Sequence, residues 1–214
     1  MTQPLPDPPS YEQLLRDQSA VLARWQAVTG GLSKAAWEWR RDRGTWQTVL
    51  PGIVVAHSGE VTFEQKVQAA VLYGGDGAAV SGDALLHLTR TTRRRGEPPD
   101  VIDVAVRAES KVSAHLFFRP HRCSRLDEIT HPVRLPQQVR IAPAVLRSAA
   151  WAKSDRAAEW RLAAAVQQRL VTVPALRAAL QTFPRLPRRR TVTAGNMRHK
   201  EARLADQFRA ASLA

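Results

Sequence analysis

Apolar side chains recur at changing intervals along the chain, and these intervals divide it into successive elements. Over residues 11–29 the spacing is helical, which predicts one helix or two short helices with a break near Gln18 and Ser19. Gly30 and Gly31 follow, and two glycines after a helical pattern predict a stop and a turn. A second helix is therefore expected soon after residue 31.

The next segment carries the signals of a helix start. Ser33 suits the N-cap position, because its hydroxyl can accept a backbone N–H from the first turn. Leu32 and Trp37 stand where a hydrophobic staple would fix the direction of entry. The pattern predicts a helix over residues 34–43 that ends at Gly44.

A two-stranded ribbon is predicted directly after this helix. Segments 45–50 and 53–56 are rich in β-forming residues, and Pro51 and Gly52 between them are typical of a turn. Helix, turn, second helix and ribbon in this order predict a winged helix-turn-helix over residues 11–58. The ribbon would be its wing.

Residues 59–184 are predicted to form a mixed domain. Thr62 and Gln65 have the spacing of a capping box and predict a further helix. The glycine-rich run 73–83 lacks the Gly-Lys-Ser/Thr ending of a nucleotide-binding loop, so it is interpreted as a turn between helices. Ser81 would cap the second of those helices.

The central part of this domain shows strand patterns. Segments 101–106 and 114–118 are apolar or alternating, and they predict two strands that form either a hairpin or a neighbouring pair. Segment 139–142 predicts one more short strand. A small sheet is therefore expected inside the mixed domain.

Helical spacing returns near Pro143, which suits a first helical position. Ser154 is predicted to open a long helix to Leu170, and Thr172 a third one. These helices form a predicted C-terminal cluster. The predicted fold class is α+β: an N-terminal winged helix-turn-helix, then a mixed domain with a small sheet and this helical cluster.

The two ends of the chain differ from the rest in composition. Residues 1–10 hold four prolines and are expected to form an extended, mobile arm. Residues 185–214 are predicted to be a basic, weakly ordered tail. No internal repeat links these segments to the rest of the chain.

Composition narrows the class of protein. The chain has 214 residues, 44% of them hydrophobic, which is enough for a packed core. A net charge of +13 favours a polyanionic partner. Residues 1–60 carry six basic and six acidic side chains, whereas residues 151–214 carry 13 and 4. Overall basicity therefore gives no support to the predicted winged helix itself.

Other bulk features point to a cytoplasmic protein without a membrane partner. No apolar run approaches the length of a membrane span, and the N-terminus lacks the basic start and apolar core of a signal peptide. The single cysteine, Cys123, cannot form an internal disulfide. A reducing compartment therefore suits the chain.

No motif predicts an enzyme, a metal site or a cofactor. His115, His121 and Cys123 are close in sequence, but their spacing matches no common zinc arrangement. No nucleophile stands near a residue that would serve as its base. The chain is therefore expected not to be an enzyme and to need no cofactor.

Several short motifs resemble those of one family. Segment 31–34 reads Gly-Leu-Ser-Lys, Gly44 and Trp46 follow, and segment 51–53 reads Pro-Gly-Ile. In these motifs the chain resembles actinobacterial proteins with an N-terminal AbiEi-type antitoxin domain. The likeness covers roughly residues 15–190 and is most specific in the helix and ribbon.

The resemblance implies a double-stranded DNA-binding protein, a type IV antitoxin-like transcriptional regulator that represses its own operon. In that family the antitoxin opposes a nucleotidyltransferase toxin without needing to bind it. Many relatives continue into a very-short-patch-repair-like endonuclease domain, which has no counterpart here. The alternative is therefore a truncated or inactive member of an endonuclease-fused family. No oligomeric state is predicted.

Candidate DNA contacts follow from the predicted recognition helix, since such a helix enters the major groove and its basic residues reach phosphates or guanine edges. Trp37 and Trp46 are predicted as core residues instead. The alternative is a solvated charged face, which Glu38 and Asp42 in the same helix favour. The candidates are Ser33, Lys34, Arg40, Arg41 and Arg43 in the helix, Gln47 in the wing, and Arg188, Arg189 and Arg190 as non-specific phosphate contacts in the tail.

Overall fold

Residues 8–89, 97–183 and 186 are described by the structure, a computed structural model. Within them the chain has nine helices and two three-stranded sheets, which confirms the α+β class. The helices are α1 Tyr11–Asp17, α2 Arg24–Thr29, α3 Lys34–Asp42, α4 Phe63–Gly74, α5 Gly82–Thr89, α6 Leu126–Ile129, α7 Ile141–Ala150, α8 Asp155–Gln167 and α9 Val173–Thr182. The strands are β1 Val21–Ala23, β2 Gln47–Leu50, β3 Ile53–Val55, β4 Ala79–Val80, β5 Ile102–Arg107 and β6 Phe118–Cys123.

The first sheet is antiparallel with the order β1-β3-β2. Successive side chains of a strand point to opposite faces. Leu22 and its partner Val54 therefore join the buried cluster of α2 and α3, while Val21 and Val55 join the cluster that contains α4. The sheet thus separates α3 on one face from α4 on the other.

Strand β1 corrects the helix prediction for residues 11–29. The predicted break is present, since Ser19 and Ala20 have positive φ angles of 54° and 63°. However, Val21 and Leu22, which fit the helical spacing, pair with β3 and are fully buried. That pairing joins distant parts of the chain, so local spacing could not indicate it.

Helix α4 begins as predicted. The Thr62 hydroxyl accepts the Gln65 backbone N–H, and the Gln65 side chain accepts that of Thr62, which confirms the capping box. The helix contacts strands of both sheets. Its residues Val67 and Ala70 lie in one buried cluster with Val104 of the second sheet. One continuous core therefore joins the two halves.

The second sheet has the order β4-β5-β6, and β5 and β6 run parallel. The hairpin alternative is thus wrong, and the neighbouring pair is correct. The second strand begins at Phe118 instead of covering 114–118. Only Phe118 and Cys123 of β6 are buried, while Arg119 is exposed, so this edge strand has a weak apolar pattern. Pro120 is tolerated because the strand lies at the edge of the sheet.

The predicted Ser81 cap is wrong. Its side chain is fully buried, and its hydroxyl has no hydrogen-bond partner. Helix α5 begins at Gly82, whose φ of +57° bends the chain sharply after β4. The run 73–83 was expected to be a simple turn between helices. It instead contains the two-residue strand β4 and this bend.

The strand predicted over 139–142 is also wrong. Val139 makes only an isolated bridge to Thr130, and helix α7 already begins at Ile141. Pro143 lies within the first turn instead of at the first position. It is tolerated there because first-turn N–H groups have no partner inside the helix.

The helical cluster is confirmed. Ser154 caps α8 by accepting the Ala157 N–H at 3.2 Å, and Thr172 caps α9 in the same way. Helix α8 ends at Gln167, before the predicted Leu170. Helix α7 lies between α5, α8 and α9, so nearly all of it is buried. None of the described helices has the length and apolarity needed to cross a membrane.

Candidate nucleic-acid interface

Helix α3 is built as its sequence predicts. The Ser33 hydroxyl accepts the Ala36 N–H at 3.1 Å, and Gly44, with a φ of +70°, ends the helix. Leu32 and Trp37 both lie in the same buried cluster. These features fix where the helix starts, where it stops and which side faces inward.

Two tryptophans anchor that inward side. Trp37 is 1% exposed and meets Trp46 edge to face, with 5.5 Å between ring centroids. Edge-to-face packing of large rings is a favourable contact in a small core. Both core predictions are confirmed. Trp37 faces inward, whereas Trp39 lies on the opposite side of α3, and both Trp39 and Lys34 are exposed to solvent.

On the exposed surface of α3, one carboxylate lies between two basic side chains. Lys34 Nζ lies 4.0 Å from Glu38 Oε1, and Arg24 Nη2 lies 3.6 Å from the same oxygen. All three side chains are about half exposed or more. Exposed pairs of this kind contribute only about 0.2–1 kcal/mol, so both cations can exchange their partner at little cost.

The three predicted arginines of this helix have different surroundings. Arg40 donates to the Ala36 carbonyl at 3.0 Å and its guanidinium lies 5.2 Å from the Trp46 ring centre. Arg41 donates to the Thr48 hydroxyl at 3.2 Å, which ties α3 to β2. Arg43 lies over the exposed Trp39 ring at 4.7 Å. Lys34 and Arg43 are thus the most available cations, and Arg40 the least.

Gln47 has a structural role that the wing prediction did not anticipate. Its amide nitrogen donates to the His57 carbonyl at 2.7 Å and to the Gly59 carbonyl at 2.6 Å. It opens β2 and pairs with Val55, at the end of the ribbon remote from the turn. Its side chain therefore holds the loop after β3 and does not reach the exposed side of α3.

Sequence reasoning missed Arg24. This residue begins α2, and its backbone N–H donates to the Gly52 carbonyl in the ribbon turn at 2.8 Å. Its side chain meets Glu38 of α3. The turn, the start of α2 and the exposed side of α3 therefore form one surface. Arg24 could not be singled out because β1, which places it at a helix start, was not predicted.

One tryptophan of α2 and one of α3 are also exposed. Trp25 is 64% exposed and Trp39 is 52% exposed. Large aromatic side chains usually lose much more of their surface in a monomer. Solvent-facing rings beside arginines suit contacts with a partner.

The other residues singled out from the sequence are three arginines of the tail and the His115, His121 and Cys123 set. Arg188, Arg189 and Arg190 lie outside the described residues. His121 Nε2 lies 2.8 Å from Asp103 Oδ1, and His115 tilts toward Tyr73 with 6.4 Å between ring centres. In the described ranges no three His, Cys, Asp or Glu side chains stand close enough to hold a metal ion.

No model of a known protein family matches this chain, and a search of curated proteins finds no match either.

Proposed function

We propose that residues 11–58 are a winged helix-turn-helix that binds double-stranded DNA, with α3 as recognition helix and the β2–β3 ribbon as wing. The order of elements, with β1 between the first two helices, supports this proposal. So does the strand order β1-β3-β2, which brings the ribbon beside the helices.

The observation that carries the proposal is that α3 packs on the core through one side and leaves basic residues exposed. Its inner side is fixed by Trp37, while Lys34 and Arg43 are both exposed to solvent. The helix has nine residues and is therefore about 13 Å long. With its side chains an α-helix is about 10–12 Å across, which fits the major groove, about 12 Å wide.

Arg24 extends the proposed contact. Because its backbone is held by the ribbon turn, its guanidinium lies where a wing and a recognition helix meet. Phosphates would replace Glu38 as the partner of Arg24 and Lys34. The revised set of contacts is Arg24, Lys34, Arg41 and Arg43.

We further propose that the protein is an AbiEi-type, antitoxin-like transcriptional regulator of the cytoplasm that represses its own operon. It would oppose a nucleotidyltransferase toxin without direct binding. The resemblance of segments 31–34 and 51–53 to that family supports this role.

Binding to a duplex from its own upstream region, measured by fluorescence anisotropy across salt concentrations, tests the DNA proposal. We expect Lys34→Ala/Arg43→Ala to reduce the slope of log K against log salt by about 2, one unit per lost phosphate contact. The matched control, Arg16→Ala/Lys66→Ala, removes two exposed charges, one of them on α4 across the sheet.

Two results would count against the proposal. An equal reduction of the salt slope in both double variants would mean that DNA binding depends only on the net charge of the protein. Cleavage of the duplex by the isolated chain with Mg²⁺ would show that the chain is itself a nuclease and would contradict a purely DNA-binding role.

A further inference from the structure

A cavity of about 600 Å³ lies where the end of β6 faces α7 and α9. Strand β6 contributes Arg122 and Cys123, α7 and its C-cap contribute Arg147 and Trp151, and Phe183 follows α9. None of the described residues that line it is acidic. The cavity wall is therefore basic and partly aromatic.

Arg147 is the unusual member of this wall. It is 5% exposed, and its Nε has no hydrogen-bond partner. Its guanidinium carbon lies 5.5 Å from the ring centre of Trp151 and 5.2 Å from that of Phe183. Burial lowers the pKa of the guanidinium, while the neighbouring Cys123 side chain, through its charge and a hydrogen bond, acts in the opposite direction. Arginine nevertheless stays charged in proteins, so this is a buried cation.

The other two arginines of the wall have partners. Arg122 donates to the carbonyls of Ser110 and Val112 at 2.9 and 3.3 Å. Arg125 pairs with Glu128 through contacts of 2.8 and 2.6 Å. By contrast, no carboxylate of the described residues lies within 4.0 Å of the Arg147 guanidinium.

A buried charge is costly unless it is paired and hydrogen-bonded. Contacts with aromatic faces offset only part of that cost. The guanidinium is a planar fork of donors that fits a carboxylate or a phosphoryl group with two parallel hydrogen bonds. The cavity volume also falls in the range of small-molecule sites.

We propose that this cavity binds a small organic anion. Its carboxylate or phosphoryl group pairs with Arg147, and its planar apolar body lies against the aromatic side chains of Trp151 and Phe183. This site lies on the second sheet and the helical cluster, and it is independent of the DNA-binding proposal.

Cys123 provides a local reporter, because it is the only cysteine of the chain and lines the cavity. The rate of its alkylation by iodoacetamide, followed by mass spectrometry, is measured with benzoate, phenyl phosphate, inorganic phosphate or uncharged benzamide. We expect benzoate or phenyl phosphate to slow alkylation severalfold at millimolar concentration, and benzamide to leave it unchanged. Whichever of benzoate and phenyl phosphate protects Cys123 more strongly identifies the preferred anionic group. Weaker protection by inorganic phosphate would show that the apolar body of the ligand contributes to binding.

Arg147→Met tests the cation itself, with Arg134→Met as control, since Arg134 is exposed and does not line this cavity. We expect Arg147→Met to require at least about tenfold more anion for the same protection, because it loses a charged hydrogen-bonding pair. Arg134→Met should behave as the unmodified chain does. If Arg147→Met does not fold, the comparison of benzoate with benzamide on the unmodified chain still decides.

Three results would overturn the proposal: no protection by either organic anion, equal protection by benzamide, or unchanged protection in Arg147→Met. Each can occur whether or not the protein binds DNA.

Discussion

The α3 surface and the Arg147 cavity are both positive, but the protein places their charges in opposite environments. The Lys34 side chain is 70% exposed, whereas Arg147 is 5% exposed. On α3 the cations have a nearby carboxylate, Glu38, and stay in water. In the cavity the cation is almost fully buried, and no carboxylate of the described residues lies beside it.

The difference teaches how each region can use its charge. Exposed cations with weak partners can move to the phosphates of a large polyanion without affecting the fold. A buried cation has a fixed position and little contact with solvent, so it selects a small anion of matching shape. The first arrangement favours a long-range, salt-dependent contact, and the second favours a specific pocket.

The largest expected effect on stability comes from Trp37, the residue that packs α3 against the core. Trp37→Ala should destabilise the protein by about 3–5 kcal/mol, because it removes a fully buried ring and leaves a cavity against Trp46. Chemical denaturation followed by circular dichroism measures the change.

Trp39 is the matched control, two residues away on the same helix and 52% exposed. We expect Trp39→Ala to cost under about 1 kcal/mol, as surface substitutions usually do. Similar losses at both positions would mean that the two sides of α3 are not distinct.

The second effect concerns the support of the cavity. Asp103 is 8% exposed. Its Oδ1 lies 2.8 Å from His121 Nε2 and 3.9 Å from Arg119 Nη1. The His121 ring in turn stacks on Trp151 at 3.4 Å between centroids. Asp103→Ala should therefore lower the free energy of unfolding by about 1.5–3 kcal/mol.

Asp127→Ala serves as its control, because Asp127 is 76% exposed and pairs with Arg107 at the surface. That change should cost no more than about 1 kcal/mol. Equal effects in thermal denaturation would contradict the structural role given to Asp103.

Local sequence signals predicted a large part of the fold. The caps at Ser33, Thr62, Ser154 and Thr172 are all present, because a cap is defined within three or four residues. The ribbon turn was predicted for the same reason. Helix and turn signals of this kind do not depend on which parts of the chain meet.

Elements that depend on long-range pairing were predicted less well. Strand β1 depends on β3, and β6 depends on its parallel neighbour β5, so neither has a sufficient local pattern. Within the site, the exposed side of α3 was predicted, whereas Arg24 and the internal role of Gln47 were not. Arg147 had one usable signal: it stands in the apolar run 141–151, where a helix surrounded by other helices must bury it.

A smaller effect on stability is expected at Arg147 itself. Arg147→Met keeps a similar volume and removes a buried charge that lacks a carboxylate partner. Replacing buried ionic groups by well-packed apolar ones is often neutral or stabilising by about 1 kcal/mol or more. We therefore expect an unchanged or higher melting temperature, in scanning calorimetry, together with loss of anion protection. A clear fall in melting temperature would show that the guanidinium stabilises the free protein.

The smallest effect on folding, and an informative one for function, is expected at Glu38. Glu38→Gln should change the free energy of unfolding by no more than about 1 kcal/mol, since its pairs with Arg24 and Lys34 are exposed. It removes a negative charge from the proposed DNA-binding side and frees both cations, so affinity for duplex DNA should rise roughly two- to tenfold. Glu109→Gln makes the same change in net charge at an exposed position between β5 and β6. If anisotropy titrations show the same gain for both variants, the α3 surface has no special role in binding, whereas a gain confined to Glu38→Gln would locate the contact on that surface.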